Sequence, residues 1–158
     1  MPRITLQTLI AAPLERCFDL SLSVDLHQLS TSSTGEHIVA GVRAGVMNAG
    51  ETVTWRAKHF GVWQNLTTLI SETRRPTYFC DEMLKGAFRS MRHEHHFADQ
   101  NGKCLMTDYF DFESPMGPLG KLFNALILTN YMTRFLEERN AVIKRVAESE
   151  EWKRILPQ

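Results

Sequence analysis

The stretch from Gly117 to about Ser149 limits the possible folds most, because it reads as one long helix that must find cover along its length. Pro118 stands just inside its start, where a missing N–H would be unsatisfied in any case. Beyond Gly120 neither proline nor glycine interrupts it. Leu128, Met132, Phe135, Arg139, Val142 and Val146 recur at alternating spacings of four and three, which puts them on one face. Leu119, Leu122, Phe123 and Leu126 point to roughly the opposite side, at about 100° per residue. A straight helix cannot bury both stripes against one sheet. The pattern therefore predicts a kink near Thr129–Asn130, or a second partner for the first half of the helix.

What precedes that helix is mostly strand. Ile4 to Ile10 alternates loosely, and Pro13 opens a short helix over Leu14–Leu20, with a second from about Val24 to Leu29. Residues 30–35 are a loop by composition, and 36–42 a second strand. After Gly50 the pattern becomes consecutive hairpins: 52–60 and 62–72 around Phe60-Gly61, 77–85 and 88–98 around Gly86, and 103–112 after Asn101-Gly102. The order is one strand, two short helices, six strands and one long helix. That is an α+β domain with a curved antiparallel sheet of seven strands, spanning 1–158, with about 150–158 expected as a frayed tail.

Composition closes off several classes of function. Lys+Arg and Asp+Glu balance at 18 each, and no basic block carries interleaved aromatics, so nucleic acid is not an expected partner. Three cysteines, Cys17, Cys80 and Cys104, form no CxxC pair; they predict buried thiols in a reducing compartment rather than a disulfide framework or zinc site. The first residues lack the apolar core of a signal peptide, and no run approaches the roughly 18 apolar residues of a membrane span. A cytoplasmic protein without stable membrane insertion is expected.

The element order, and local phrases within it, resemble the START-like superfamily, also called SRPBCC. The phrases are His59-Phe60-Gly61, Phe79-Cys80-Asp81-Glu82-Met83 running to Gly86 and Phe88, and His93-Glu94-His95-His96-Phe97. Pro115-Met116-Gly117-Pro118-Leu119-Gly120 and Phe135-Leu136-Glu137-Glu138-Arg139-Asn140 continue them. The likeness covers nearly the whole chain and looks closest to bacterial single-domain members, some bearing a cell-division-related label. It implies a helix-grip fold, in which the sheet wraps around the C-terminal helix and leaves a cavity. Its members include polyketide cyclases, dehydrases and lipid carriers, so fold alone does not fix the activity.

Strand alternation supplies candidate cavity residues, taking the apolar side chains of each strand as the concave face. Trp55 then brings His59 inward, and Leu66 and Ile70 bring Gln64. Phe79 and Met83 bring Asp81; Met91 and Phe97 bring His93 and His95; Met106 and Phe110 bring Asp108. Across from them the helix offers Met132, Phe135 and Arg139. If Asn101-Gly102 is a two-residue turn, His95 stands opposite Asp108. So much inward polarity exceeds what packing needs, since an unpartnered buried polar group is costly.

Three readings follow. In the first, these groups orient a small hydrophobic or amphipathic ligand. In the second, His93, His95 or Asp108 acts as acid or base in a cyclase or dehydrase-like enzyme. In the third, the first half of the long helix docks a protein partner, a homodimer through that helix included. His93 and His95, two apart on a strand, could ligate a metal with Asp81 or Asp108, but His-x-His is a weak signal and no metal is expected. No GxGxxG, GxSxG or P-loop appears, so no cofactor is expected either.

Overall fold

The computed structural model describes residues 1–115 and 117–157, and of Gly120, Asn124 and Ala125 the backbone alone. Met116, part of one of the phrases above, lies outside the described residues. Strand β1 (Arg3–Ile10) leads through Pro13 into α1 (Leu14–Ser21) and α2 (Val24–Ser30), the latter capped by Ser23, whose Oγ accepts from Leu26 N at 3.2 Å. A 3₁₀ turn (Ser32–Thr34) precedes β2 (His37–Gly41). Then come β3 (Thr52–His59), β4 (Val62–Arg74), β5 (Tyr78–Lys85), β6 (Ser90–Gln100) and β7 (Lys103–Glu113). The C-terminal part is α3 (Gly117–Phe123), a π-helical turn (Asn124–Leu128), α4 (Thr129–Glu148) and α5 (Trp152–Ile155).

All seven strands form one antiparallel sheet in the order β1-β7-β6-β5-β4-β3-β2. Two tight turns set its register. Phe60 and Gly61 have φ of 51° and 76°, and Asn101 and Gly102 have 54° and 81°, the double left-handed geometry that matches strand twist. Asn101-Gly102 accordingly fixes Gln100 against Lys103 and, counting back, His95 against Asp108. At the far edge Gly41 (φ 84°) cannot be replaced cheaply: a Cβ there would lie 2.3 Å from the Thr52 carbonyl oxygen.

The helix does change character where its two apolar stripes meet. The π turn at Asn124–Leu128 inserts an extra residue into the helical repeat just before Thr129, and such insertions rotate one stripe against the next. Leu128 and Met132 are buried, whereas Leu119, Leu122, Leu126 and Ile127 are exposed. In α4 the buried face is centred on Leu136, Asn140 and Ile143 as well as Met132, Arg139 and Val146, with Phe135 and Val142 only half-buried at its margins. The segment from 150, expected to fray, is instead anchored: Leu156 is buried in the main core, and the Arg16 guanidinium stacks 4.1 Å above the Trp152 ring.

Two apolar clusters result. The larger joins α1, α2 and the C-terminal half of α4 to the sheet through Phe18, Leu26, Phe79, Phe97, Met106 and Ile143. The smaller gathers Ile4, Met91, Phe110, Phe112, Leu128 and Leu136. All three cysteines are buried and unbridged.

Candidate functional site

Residues from both clusters line a cavity of about 340 Å³ between the sheet and α4. Its apolar wall contains Trp55, Phe79, Met91, Phe110, Met132 and Phe135, all anticipated from strand alternation or helix spacing. The anticipated polar residues His59, Gln64, Asp81, His93, His95 and Arg139 also face it. Phe60, Asn65, Ala87 and Pro115 line the cavity and are exposed, which marks its open side between the β3–β4 tip, the β5–β6 hairpin and α3.

Three anticipated residues are displaced from the wall. Met83 instead folds with Leu66 over Gly86, whose missing side chain makes the space; a Cβ there would meet both at under 3 Å. Met106 is fully buried in the main core, its Sδ 3.6 Å from Ser21 Oγ. Asp108 is 1% exposed and lies behind the histidines rather than beside the cavity.

Those histidines are held by a continuous polar network. His93 Nε2 is 3.0 Å from Asp108 Oδ1, and His95 Nε2 is 2.9 Å from Asp81 Oδ1. The bonds run diagonally to the strand register, which pairs His95 with Asp108 and His93 with Asp81. His93 Nδ1 lies 4.0 Å from Asp81 Oδ1 and His95 Nδ1 2.8 Å from Asp108 Oδ1, with the two imidazoles 3.8 Å apart. The second contact is off the line of a hydrogen bond, so His95 Nδ1 is left without one. Asn140 Nδ2 donates to the other oxygen of Asp108 at 2.7 Å, and Arg139 donates to Asn140 Oδ1 at 3.0 Å. Arg139 is thus buried, as its place in the helix requires, with Asp108 Oδ1 at 3.8 Å as its carboxylate partner.

Burial and the neighbouring His95 ring push His93 down to about 4, outweighing Asp108, so the ring is neutral at pH 7. Burial works to raise both aspartates, but hydrogen bonds and charge from the imidazoles prevail. Asp81 sits below the ordinary carboxylate range and Asp108 well below it.

Two features of the wall were not anticipated. His27 of α2 stacks on Trp55 with ring centroids 4.3 Å apart, and its Nε2 is 2.6 Å from Glu36 Oε1, a buried carboxylate. Near the opening, His59 Nδ1 is 2.6 Å from Tyr131 Oη, while Phe60 packs between Tyr131 (4.5 Å) and Phe123 (6.0 Å). Burial lowers the pKa of His59, which keeps this contact neutral.

No family model matches the chain, and no curated protein matches it by sequence. Solved structures do match. A protein from Thermus thermophilus superposes with a TM-score of 0.75 at 15% identity, over 91% of this chain and 95% of its own. A START superfamily protein from Mycobacterium smegmatis gives 0.71 at 11%, over 92% and 97%. The fold is START-like. The ginseng major latex-like protein 151 from Panax ginseng extends the comparison to plants, with 0.67 at 17% over 94% and 98%. At such identities the likeness establishes the START-like fold and nothing finer, and the cell-division label finds no support among these neighbours.

Proposed function

We propose that this START-like chain binds and carries a small apolar or amphipathic molecule in the cavity between sheet and α4. The observation that carries the reading is the cavity itself: a concave space of about 340 Å³ whose wall includes Trp55, Phe79, Met91, Phe110 and Met132, with polar groups at a few places along it. Ligand sites of this kind occupy roughly 300–1,000 Å³ and place few polar groups on apolar walls. The fold it shares with a START superfamily protein and a major latex-like protein is compatible with that use. Buried, unbridged thiols support a cytoplasmic setting. No helix among the described residues is long and apolar enough to cross a membrane.

A thermal-shift screen of fatty acids, sterols, quinones and polyketides tests the reading. A ligand of the folded state raises Tm by mass action. The shift should shrink in Trp55→Ala and Phe110→Ala, each compared with its own ligand-free Tm. A screen without a stabiliser would sink the carrier reading. Turnover of a stabilising polyketide, lost in His95→Gln, would favour the cyclase or dehydrase-like alternative.

A second proposal concerns α3 and the π turn. Leu119, Leu122, Leu126 and Ile127 are exposed by 76, 59, 63 and 49%. This outward apolar stripe suits a second copy of the chain, while the inward side, through Phe123 and Leu128, roofs the cavity.

A further inference from the structure

We propose that Asp81, His93 and His95 form a binding site for one divalent first-row transition metal ion, with Asp108 as the carboxylate that orients His93 and backs His95. The site is independent of whether the cavity also carries an apolar ligand.

The first argument is positional. Asp81, His93 and His95 can each present a ligand atom, and those atoms lie within 4.8 Å of one another. All three line the cavity, while Asp108, which touches both imidazoles, does not. Two imidazoles and one carboxylate on one side of an ion, with the remaining positions open, is a set that divalent iron and zinc accept. The open positions here would face the cavity, where water or an oxygen-bearing ligand could complete the shell.

The second argument is the direction of the rings. Each imidazole has one nitrogen toward Asp108, His93 Nε2 at 3.0 Å and His95 Nδ1 at 2.8 Å. Each turns its other nitrogen toward Asp81, His95 Nε2 at 2.9 Å and His93 Nδ1 at 4.0 Å. The hydrogen bond between His93 Nε2 and Asp108 leaves His93 Nδ1 on the Asp81 side, available to ligate. His95 Nε2, hydrogen-bonded to Asp81 Oδ1, would exchange that bond for the ion. The Asp108–His93 pair has the form of a carboxylate–histidine–metal relay, and the outer carboxylate is itself anchored, here by Asn140 at 2.7 Å.

The third argument is what the network leaves undone. Buried Asp108 has the Arg139 guanidinium at 3.8 Å, whereas Asp81, partly open to the cavity, is paired among the described residues with the two imidazoles. His95, 1% exposed, has an Nδ1 without a hydrogen bond although an oxygen is 2.8 Å away. A dication would give Asp81 a cationic partner and take the place of Asp81 at His95 Nε2. Metal bonds of about 2.0–2.2 Å require ligand atoms roughly 3–3.5 Å apart, so His93 and Asp81 must close by under about 1 Å. Asp81, at the cavity wall with 19% of its side chain exposed, has the room.

The test uses the full chain, stripped with a chelator and titrated with Co²⁺ and Zn²⁺. We expect one equivalent of Co²⁺ to give visible ligand-field bands of low coordination number, displaced by one equivalent of Zn²⁺. Side-chain nitrogen resonances of His93 and His95 should shift with Zn²⁺, and those of His37 and His96 should not; this readout needs no variant. His93→Gln and His95→Gln should each abolish the bands. Asp108→Asn should weaken Zn²⁺ binding about 10–100-fold while leaving the stoichiometry at one. Bands that never appear, resonances of His93 and His95 that stay put, or binding that survives the His93→Gln/His95→Gln double variant would overturn the site.

Discussion

Asn140 shows how one side chain can secure a buried polar network. Its amide donates to Asp108 Oδ2 and its carbonyl oxygen accepts from Arg139, so it joins the anion of the cluster to its cation. Asn140→Ala leaves both charged partners short of a hydrogen bond in a site where water cannot readily replace it. Bonds of that class are worth about 1.5–3 kcal/mol each, and we expect a net loss of about 2–3 kcal/mol in urea unfolding. A loss within about 0.5 kcal/mol, typical of surface positions, would mean that the network is solvated. At this scale the sequence was legible as far as backbone register and no further. The Asn101-Gly102 turn placed His95 against Asp108, and it does stand there. Yet the hydrogen bonds run diagonally, His93 to Asp108 and His95 to Asp81, because side-chain rotamers rather than Cα pairing choose partners. His27 and Glu36 escaped notice for a different reason. A helix of seven residues is too short for its periodicity to identify an inward face, and Glu36 opens a predicted strand whose mostly exposed positions show no clear apolar alternation.

Among the elements, α3 and the π turn carry the most consequence. Two stripes on opposite sides of one helical run predicted a kink or a change of partner, and the π turn is the device that reconciles them. Alternation of charged and apolar residues could reveal the mismatch; it could not reveal which backbone irregularity would absorb it. Downstream of the turn, α4 buries its face against β1, α1 and α2. Upstream, α3 reaches the fold through Phe123, while Leu119 and Leu122 face water, joined by Leu126 and Ile127 of the turn. If that stripe seats a second copy, sedimentation velocity will show a coefficient that rises with protein concentration. Leu122→Glu/Leu126→Glu should return it to the monomer value, with the thermal unfolding of the fold little changed because both positions are exposed. A wild-type coefficient constant over the accessible concentrations would leave α3 as a roof alone.

The whole molecule divides into a part held from many sides and a part held from one. Strands β4 to β7 are each hydrogen-bonded on both flanks, and α4 packs on β1, α1 and α2. By contrast α3 meets the tip of the β3–β4 hairpin at an aromatic contact, Phe123 against Phe60, while Tyr131 of α4 packs on Phe60 and is hydrogen-bonded to His59. Few buried apolar contacts mean a low free energy of local opening, and openings of that kind admit ligands. The cavity is therefore expected to fill by separation of α3 from the hairpin tip while the sheet stays closed. Amide hydrogen exchange on the full chain checks this. Amides of 117–128 and 59–62 should exchange well before those of 129–148 and of β6. A molecule that raises Tm should slow the first group selectively, since it contacts Phe60, Phe123 and Tyr131 from inside. Phe60→Ala should speed exchange in 117–128 and leave β6 unchanged. Uniform exchange across α3 and α4 would place the roof in the same cooperative unit as the core, and entry would then require opening of the fold as a whole.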